Sequence, residues 1–174
     1  MTVHLEIRSL IEAPTETVFD LALSVKIHTD SMSRYGEQLV KATSSEHLQL
    51  GDEVTWRARH MGIRWRMTSR ITEFERPISF VDEQTQGPFR RFRHEHRFYR
   101  DGIQTRMVDR VEFTAPIPVL GAIAERLVLR PYILHLIIVR NRHLRTAAEK
   151  HPRRMPSATD PPSEPTVAQA RVPR

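Results

Sequence analysis

Two runs of alternating apolar and polar residues, Arg91–Arg100 and Ile103–Thr114, flank the dipeptide Asp101-Gly102. Asp-Gly between alternating runs is among the strongest short hairpin signals, because Gly and Asp tolerate the positive φ angles that a two-residue turn requires. The same grammar repeats upstream. Segments Gln38–Ser45, Glu53–His60, Ile63–Phe74 and Ile78–Thr85 are separated by Gly51-Asp52, Met61-Gly62, Glu75-Arg76-Pro77 and Gly87-Pro88. Six strands joined by tight turns form an antiparallel meander, and such a sheet buries one face and solvates the other.

The elements around the meander have a different period. Val3, Leu5, Ile7, Ser9 and Ile11 lie on one face of a first strand. Ala13-Pro14 ends it, and Val18, Phe19, Leu21, Ala22 and Leu23 predict an amphipathic helix of about three turns. A second short helical piece is expected near Lys26–Arg34. Beyond Pro116 and Pro118, Ile123, Leu127, Leu134, Ile137, Ile138, Asn141 and Leu144 form a helical stripe. It predicts a helix over Ala122–Glu149, kinked or broken near Pro131, which lacks a backbone N–H. Residues 1–150 are therefore read as one α+β domain. Residues 151–174, with six of the twelve prolines, are read as a disordered basic tail.

Composition narrows the chemistry. With no cysteine, disulfides and thiolate metal sites are excluded. The N-terminus has no apolar run of signal-peptide type, so a cytoplasmic protein is expected. Tyr132–Val139 is too short to span a bilayer. The net charge of +6 comes from arginines that alternate along strands, as on a solvated sheet face; only Lys26, Lys41 and Lys150 are lysines. No phosphate loop, nucleophile elbow or zinc motif is present.

The turns also fix which side chains meet across the sheet. With Asp101-Gly102 as the turn, Phe98 faces Thr105, His96 faces Met107 and His94 faces Asp109, so both histidines and Asp109 point into the apolar face. A turn at Met61-Gly62 pairs Trp56 with Met67 and Val54 with Ser69. A turn near Glu75-Arg76 pairs Ile71 with Phe80, Ser69 with Asp82 and Met67 with Gln84, and a turn around Gly87-Pro88 sets Asp82 opposite His94. These registers predict a polar row of Ser69, Asp82, His94 and Asp109. Buried ionisable groups are costly unless paired. The row is therefore either a self-satisfied structural network, a handle for a ligand's polar group, or an acid–base pair. His28, His135 and His143 are read as helix-surface or helix–sheet contacts.

Several stretches resemble a known group. They are Phe80-Val81-Asp82-Glu83-Gln84 with Gly87-Pro88-Phe89, then His94-Glu95-His96-Arg97-Phe98, then Thr105, Asp109 and Pro116. Leu127-Val128-Leu129-Arg130 through Arg140 and Leu144 complete the pattern. Over Val3–Lys150 the chain resembles the polyketide cyclase/dehydrase-like group of the START-like (SRPBCC) superfamily; Pro131 departs from the basic residue of that pattern. The resemblance implies a helix-grip fold, a curved sheet of about seven strands around a long C-terminal helix. It also implies a cavity between them for a small apolar or amphipathic molecule such as a lipid, polyketide or quinone.

The expected lining is Trp56, Trp65, Met67, Ser69, Phe80, Gln84, His94, His96, Phe98, Met107, Asp109, Leu134 and Ile138. No cofactor and no metal are expected, although His94 and His96 with Asp82 or Asp109 are the one set with ligand-type side chains. A small apolar molecule is the expected partner, the protein being a monomer or dimer without a specific nucleic-acid partner. Two alternatives stand beside ligand binding: an aromatic cyclase or dehydratase using His94 with Asp109 or Asp82, and association of the Arg-rich outer face with nucleic acid or an anionic membrane.

Overall fold

Strand β1 (Thr2–Ile11) alternates inward and outward side chains until Ala13, beyond which Pro14 leads into helix α1 (Thr15–Ala22). Helix α2 (Val25–Ser31) follows at once, with the Ser24 hydroxyl accepting from the Ile27 N–H at its start. A 3-10 turn at Ser33–Tyr35 then leads into the meander. Its strands are β2 (Gln38–Ala42), β3 (Glu53–His60), β4 (Ile63–Glu75), β5 (Ser79–Gln86), β6 (Arg91–Asp101) and β7 (Gln104–Thr114). The last element is helix α3 (Arg130–Lys150). This computed structural model describes residues 2–44, 46–60, 62–115 and 128–150.

The seven strands form one antiparallel sheet in the order β1-β7-β6-β5-β4-β3-β2, so the first strand returns to pair with the last. The long helix crosses the buried face, with α1 and α2 packed against it. This is the helix-grip arrangement. Helix α1 has two turns rather than three, because Leu23 and the Ser24 cap already begin α2.

Expected and observed registers differ in an instructive way. The β3–β4 pairing is as expected, Trp56 facing Met67 and Val54 facing Ser69. The β6–β7 turn is Gly102-Ile103 rather than Asp101-Gly102, so Asp101 pairs with Gln104 and every partner moves by two. Gly102 supplies the positive φ. His96 therefore faces Asp109, and His94 faces Val111. A shift of two preserves which face each side chain takes. The β4–β5 pairing is likewise displaced by two, with Ser69 facing Gln84 and Ile71 facing Asp82. Register irregularities at Thr68/Ser69 and Ile71/Glu73 take up the difference. Asp82 faces His94, as expected.

Pro131 is the second residue of α3. The backbone is helical from Val128 through Pro131, so no break stands at that residue. The portion of the expected helix before Val128, and the tail at 151–174, lie outside the described residues. The buried stripe of α3 is Ile133, Ile137, Asn141, Leu144 and Ala148; Ile137, Asn141 and Leu144 belong to the expected stripe, while Leu134 and Ile138 are only half-buried.

Two clusters of buried apolar side chains divide the interior. One gathers Phe19, Ile71, Phe80, Phe98, Met107 and Leu144 beneath α1; the other gathers Leu5, Phe89, Val111, Phe113, Ile133 and Ile137. Phe19 is the hub of the first, its fully buried ring meeting Phe74, Phe80 and Phe98 edge-on at 5.3–5.6 Å. Phe19→Ala is expected to cost about 3–5 kcal/mol, since both the transfer term and the cavity term apply. Urea denaturation should show a lower midpoint with an unchanged slope.

Candidate functional site

At the centre of the buried face, strands β5, β6 and β7 bring four ionisable side chains together. Asp109 is fully buried. Its Oδ1 lies 2.9 Å from His94 Nε2 and 2.8 Å from His96 Nδ1, the latter out of line for a hydrogen bond. Its Oδ2 accepts from Asn141 Nδ2 at 2.7 Å, and Asn141 also donates to Ser9 Oγ. On the other side of the histidines, Asp82 Oδ2 lies 3.3 Å from His96 Nε2 and 3.9 Å from His94 Nδ1. Arg140 completes the group from α3, donating to the Ala22 carbonyl and approaching His96 Nε2 to 3.5 Å.

An ionised carboxylate accepts only, so the proton between His94 and Asp109 belongs to His94 Nε2. Neutral His94 then presents an unprotonated Nδ1 toward Asp82 and the adjoining space. Burial, followed by the charge of His96, pushes His94 down to about 4 against the upward pull of both carboxylates. Burial alone would raise Asp82, but the hydrogen bond from His96 and the charges of His94, His96 and Arg140 outweigh it and hold it at about 2. Burial also opposes the ionisation of Asp109, and its contacts with the two histidines overcome that and keep it far below the ordinary carboxylate range. One donor atom each from Asp82, His94 and His96 lies within 4.8 Å of the others, a spacing that a metal ion could use. Among the described residues the positive charge facing these atoms is the Arg140 guanidinium.

The network borders a cavity of about 150 Å³ between the sheet and α3. Of the expected lining residues, Trp56, Trp65, Met67, Ser69 and His94 reach it, and Asp82 joins them. Others lie elsewhere. Phe80, Phe98 and Met107 belong to the cluster around Phe19, and His96 and Asp109 sit behind His94. Gln84 braces the β5–β6 turn, donating to the Phe89 carbonyl and accepting from its N–H. That bracing brings the Gln84 amide against Gly87, where a Cβ would collide with it, and points Phe89 into the cavity wall. On α3, Ile133, Leu136, Ile137 and Arg140 line the cavity in place of Leu134 and Ile138.

A second polar group closes the outer end. His60 Nδ1 lies 2.9 Å from the Tyr132 hydroxyl, and Tyr35 Oη lies 2.8 Å from His135 Nε2. His28 stacks on Trp56 at 4.3 Å and meets Glu37 at 2.7 Å, so His28 and His135 both have partners. Burial lowers His60, against an upward pull from Glu37. Sequence reasoning passed over His60, although alternation along β3 puts it on the face of Trp56 and Ala58. Arg140 likewise stands outside the expected lining.

Residues 2–149 match the family model described as polyketide cyclase / dehydrase and lipid transport. The chain belongs to that family. Its likenesses to solved structures show the same helix-grip fold. TTHA0849 from Thermus thermophilus is 19% identical with a TM-score of 0.66, covering 84% of this chain and 99% of that one. The Zhui aromatase/cyclase from Streptomyces sp. R1128 is 18% identical with a TM-score of 0.68, covering 86% and 94%. A START superfamily protein from Mycobacterium smegmatis is 10% identical with a TM-score of 0.63, covering 84% and 97%. No curated protein matches by sequence. No helix among the described residues is long and apolar enough to cross a membrane.

For this family member the network sets an acid response. A histidine depressed to about 4 binds a proton in the unfolded chain before it does so in the folded one. Its contribution is present above the unfolded value near 6.5 and is lost as pH falls toward 4. The depressed carboxylates extend the loss below pH 4, down through about 2 for Asp82. Denaturation midpoints are expected to fall steadily from about pH 6.5 to 4, with His94→Gln reducing the slope in the upper half of that window. Superimposable wild-type and variant curves would contradict this assignment.

Proposed function

We propose that the cavity binds a small, largely apolar molecule whose polar group engages His94, Asp82 and Arg140. The observation that carries this reading is the joining of an aromatic-lined space to a buried ionic network that leaves His94 Nδ1 without a proton. Membership in a family described by cyclase/dehydrase activity and lipid transport supports the same ligand class. The volume sets the size. A cavity of about 150 Å³ accommodates roughly one benzene-sized ring, so a longer molecule must open the structure or leave part of itself outside.

Ring-sized probes test the pairing of apolar wall and polar end. Phenol should bind more tightly than isosteric toluene, and His94→Ala should remove most of the difference, about tenfold for one hydrogen bond in a dry site. Equal binding of the two probes would contradict the proposed role of His94. Native mass spectrometry of the protein purified from its own host should reveal a co-purifying apolar molecule.

One observation favours a second reading, an aromatase/cyclase-type enzyme. A histidine that stays neutral at physiological pH, held in one tautomer by Asp109, has the properties of a general base for enolising a ketone. This reading predicts that His94→Ala abolishes turnover of a poly-β-ketone while binding is largely kept; the binding reading predicts no turnover in either protein.

A further inference from the structure

The outer face of the sheet carries arginines of two kinds. Arg8, Arg70, Arg93, Arg97 and Arg110 each pair with a glutamate. At the β3–β4 hairpin the pattern reverses: Arg57 stands directly opposite Arg66, and Arg59 opposite Arg64. All four are exposed, and none has an acidic partner among the described residues; Arg57 bonds Gln38 and Arg59 bonds the Gly62 carbonyl. Like charges directly opposite across an antiparallel pair are destabilising. The chain therefore carries four arginines without acidic partners on one hairpin, while Arg8, Arg70, Arg93, Arg97 and Arg110 on the same face are paired.

Three further features occur at this end. Ile63, beside the turn, is 61% exposed, and Val128, one helical turn before Tyr132, is 53% exposed. The hairpin also forms the cavity's outer end, since His60 pairs with Ile63 in the ladder and bonds Tyr132 on α3. Finally, β4 outruns β5. Its pairing begins only at Thr68, which leaves a groove of about 540 Å³ beside Arg64, Arg66, Thr68 and Gln86.

We propose that this hairpin docks on an anionic lipid bilayer, the arginines meeting headgroup phosphates and Ile63 and Val128 entering the interfacial layer beside the cavity's outer end. Basic residues beside exposed aliphatic ones suit a charged surface with an apolar interior. A nucleic-acid surface would have no use for the aliphatic tips. The proposal is independent of what the cavity holds, because docking is read without a ligand.

Co-sedimentation of the full-length protein with vesicles of phosphatidylcholine alone, or with about 30% phosphatidylglycerol, tests it. Binding is expected only to the anionic vesicles and should weaken steeply between low and physiological salt. Arg64→Gln with Arg66→Gln should weaken it at least about tenfold. Arg8→Gln with Arg97→Gln, an identical change of net charge among paired arginines, should leave it near wild type. Because the first double variant relieves repulsion, its melting temperature should equal or exceed wild type, which separates lost docking from lost folding. Ile63→Ser should reduce binding without changing its salt dependence. Equal binding to neutral vesicles, equal losses in the two double variants, or tighter binding to duplex DNA than to anionic vesicles would overturn the proposal. Failure of the phenol comparison would leave this test untouched.

Discussion

The carboxylate of Asp109 is the point on which the interior depends. It is fully buried on β7, and an ion there is tolerable only with its lone pairs occupied. His94 and His96 come to it from β6, and Asn141 reaches it from α3. One side chain thus joins the sheet to the helix and selects the tautomer of His94. Removing any partner would leave charge unpaired in an apolar surround, so the network fixes the seating of the helix more than it adds net stability. Beside this network Ile133 and Ile137 pack with Leu5, Val111 and Phe113 of the sheet, Asn141 ties α3 to β7, and Arg140 ties it to the end of α1.

The fold was legible in the chain because its signals are local. Alternation and turn residues specify the strands within a residue or two, and parity alone decides which side chains face inward. That is why His94, His96, Asp82 and Asp109 could be placed together although two registers were displaced by two. What was not legible depends on geometry that parity does not contain. The Gly102-Ile103 turn, rather than Asp101-Gly102, puts His96 and not His94 opposite Asp109. Irregular pairing in β4 and the rotation of α3 decide which side chains border space and which fill it. Helical periodicity suggested Leu134, Ile137 and Ile138 together, yet of these Ile137 alone reaches the wall, beside Ile133, Leu136 and Arg140.

On the arginine-rich face the signal lies in the register, which the β3–β4 turn already supplied. Alternation of Arg along the strands reads as a solvated surface, and for β1, β6 and β7 the pairing with glutamates agrees with that. Only cross-strand register separates a paired arginine from one facing its like, as Arg57 faces Arg66. Among the described residues, the fold thereby gathers four arginines without acidic partners at the end where the cavity has its outer polar group.

The central claim is that neutral His94, protonated on Nε2 by its contact with ionised Asp109, offers Nδ1 to the cavity. Long-range ¹H–¹⁵N correlation of the histidine side chains at neutral pH measures this directly. The account predicts one imidazole with a protonated Nε2 and a bare Nδ1, still uncharged at about pH 5, whose Nδ1 signal shifts when a hydroxyl-bearing ligand is added. A His94 ring protonated on both nitrogens at neutral pH, or carrying its proton on Nδ1, would contradict it.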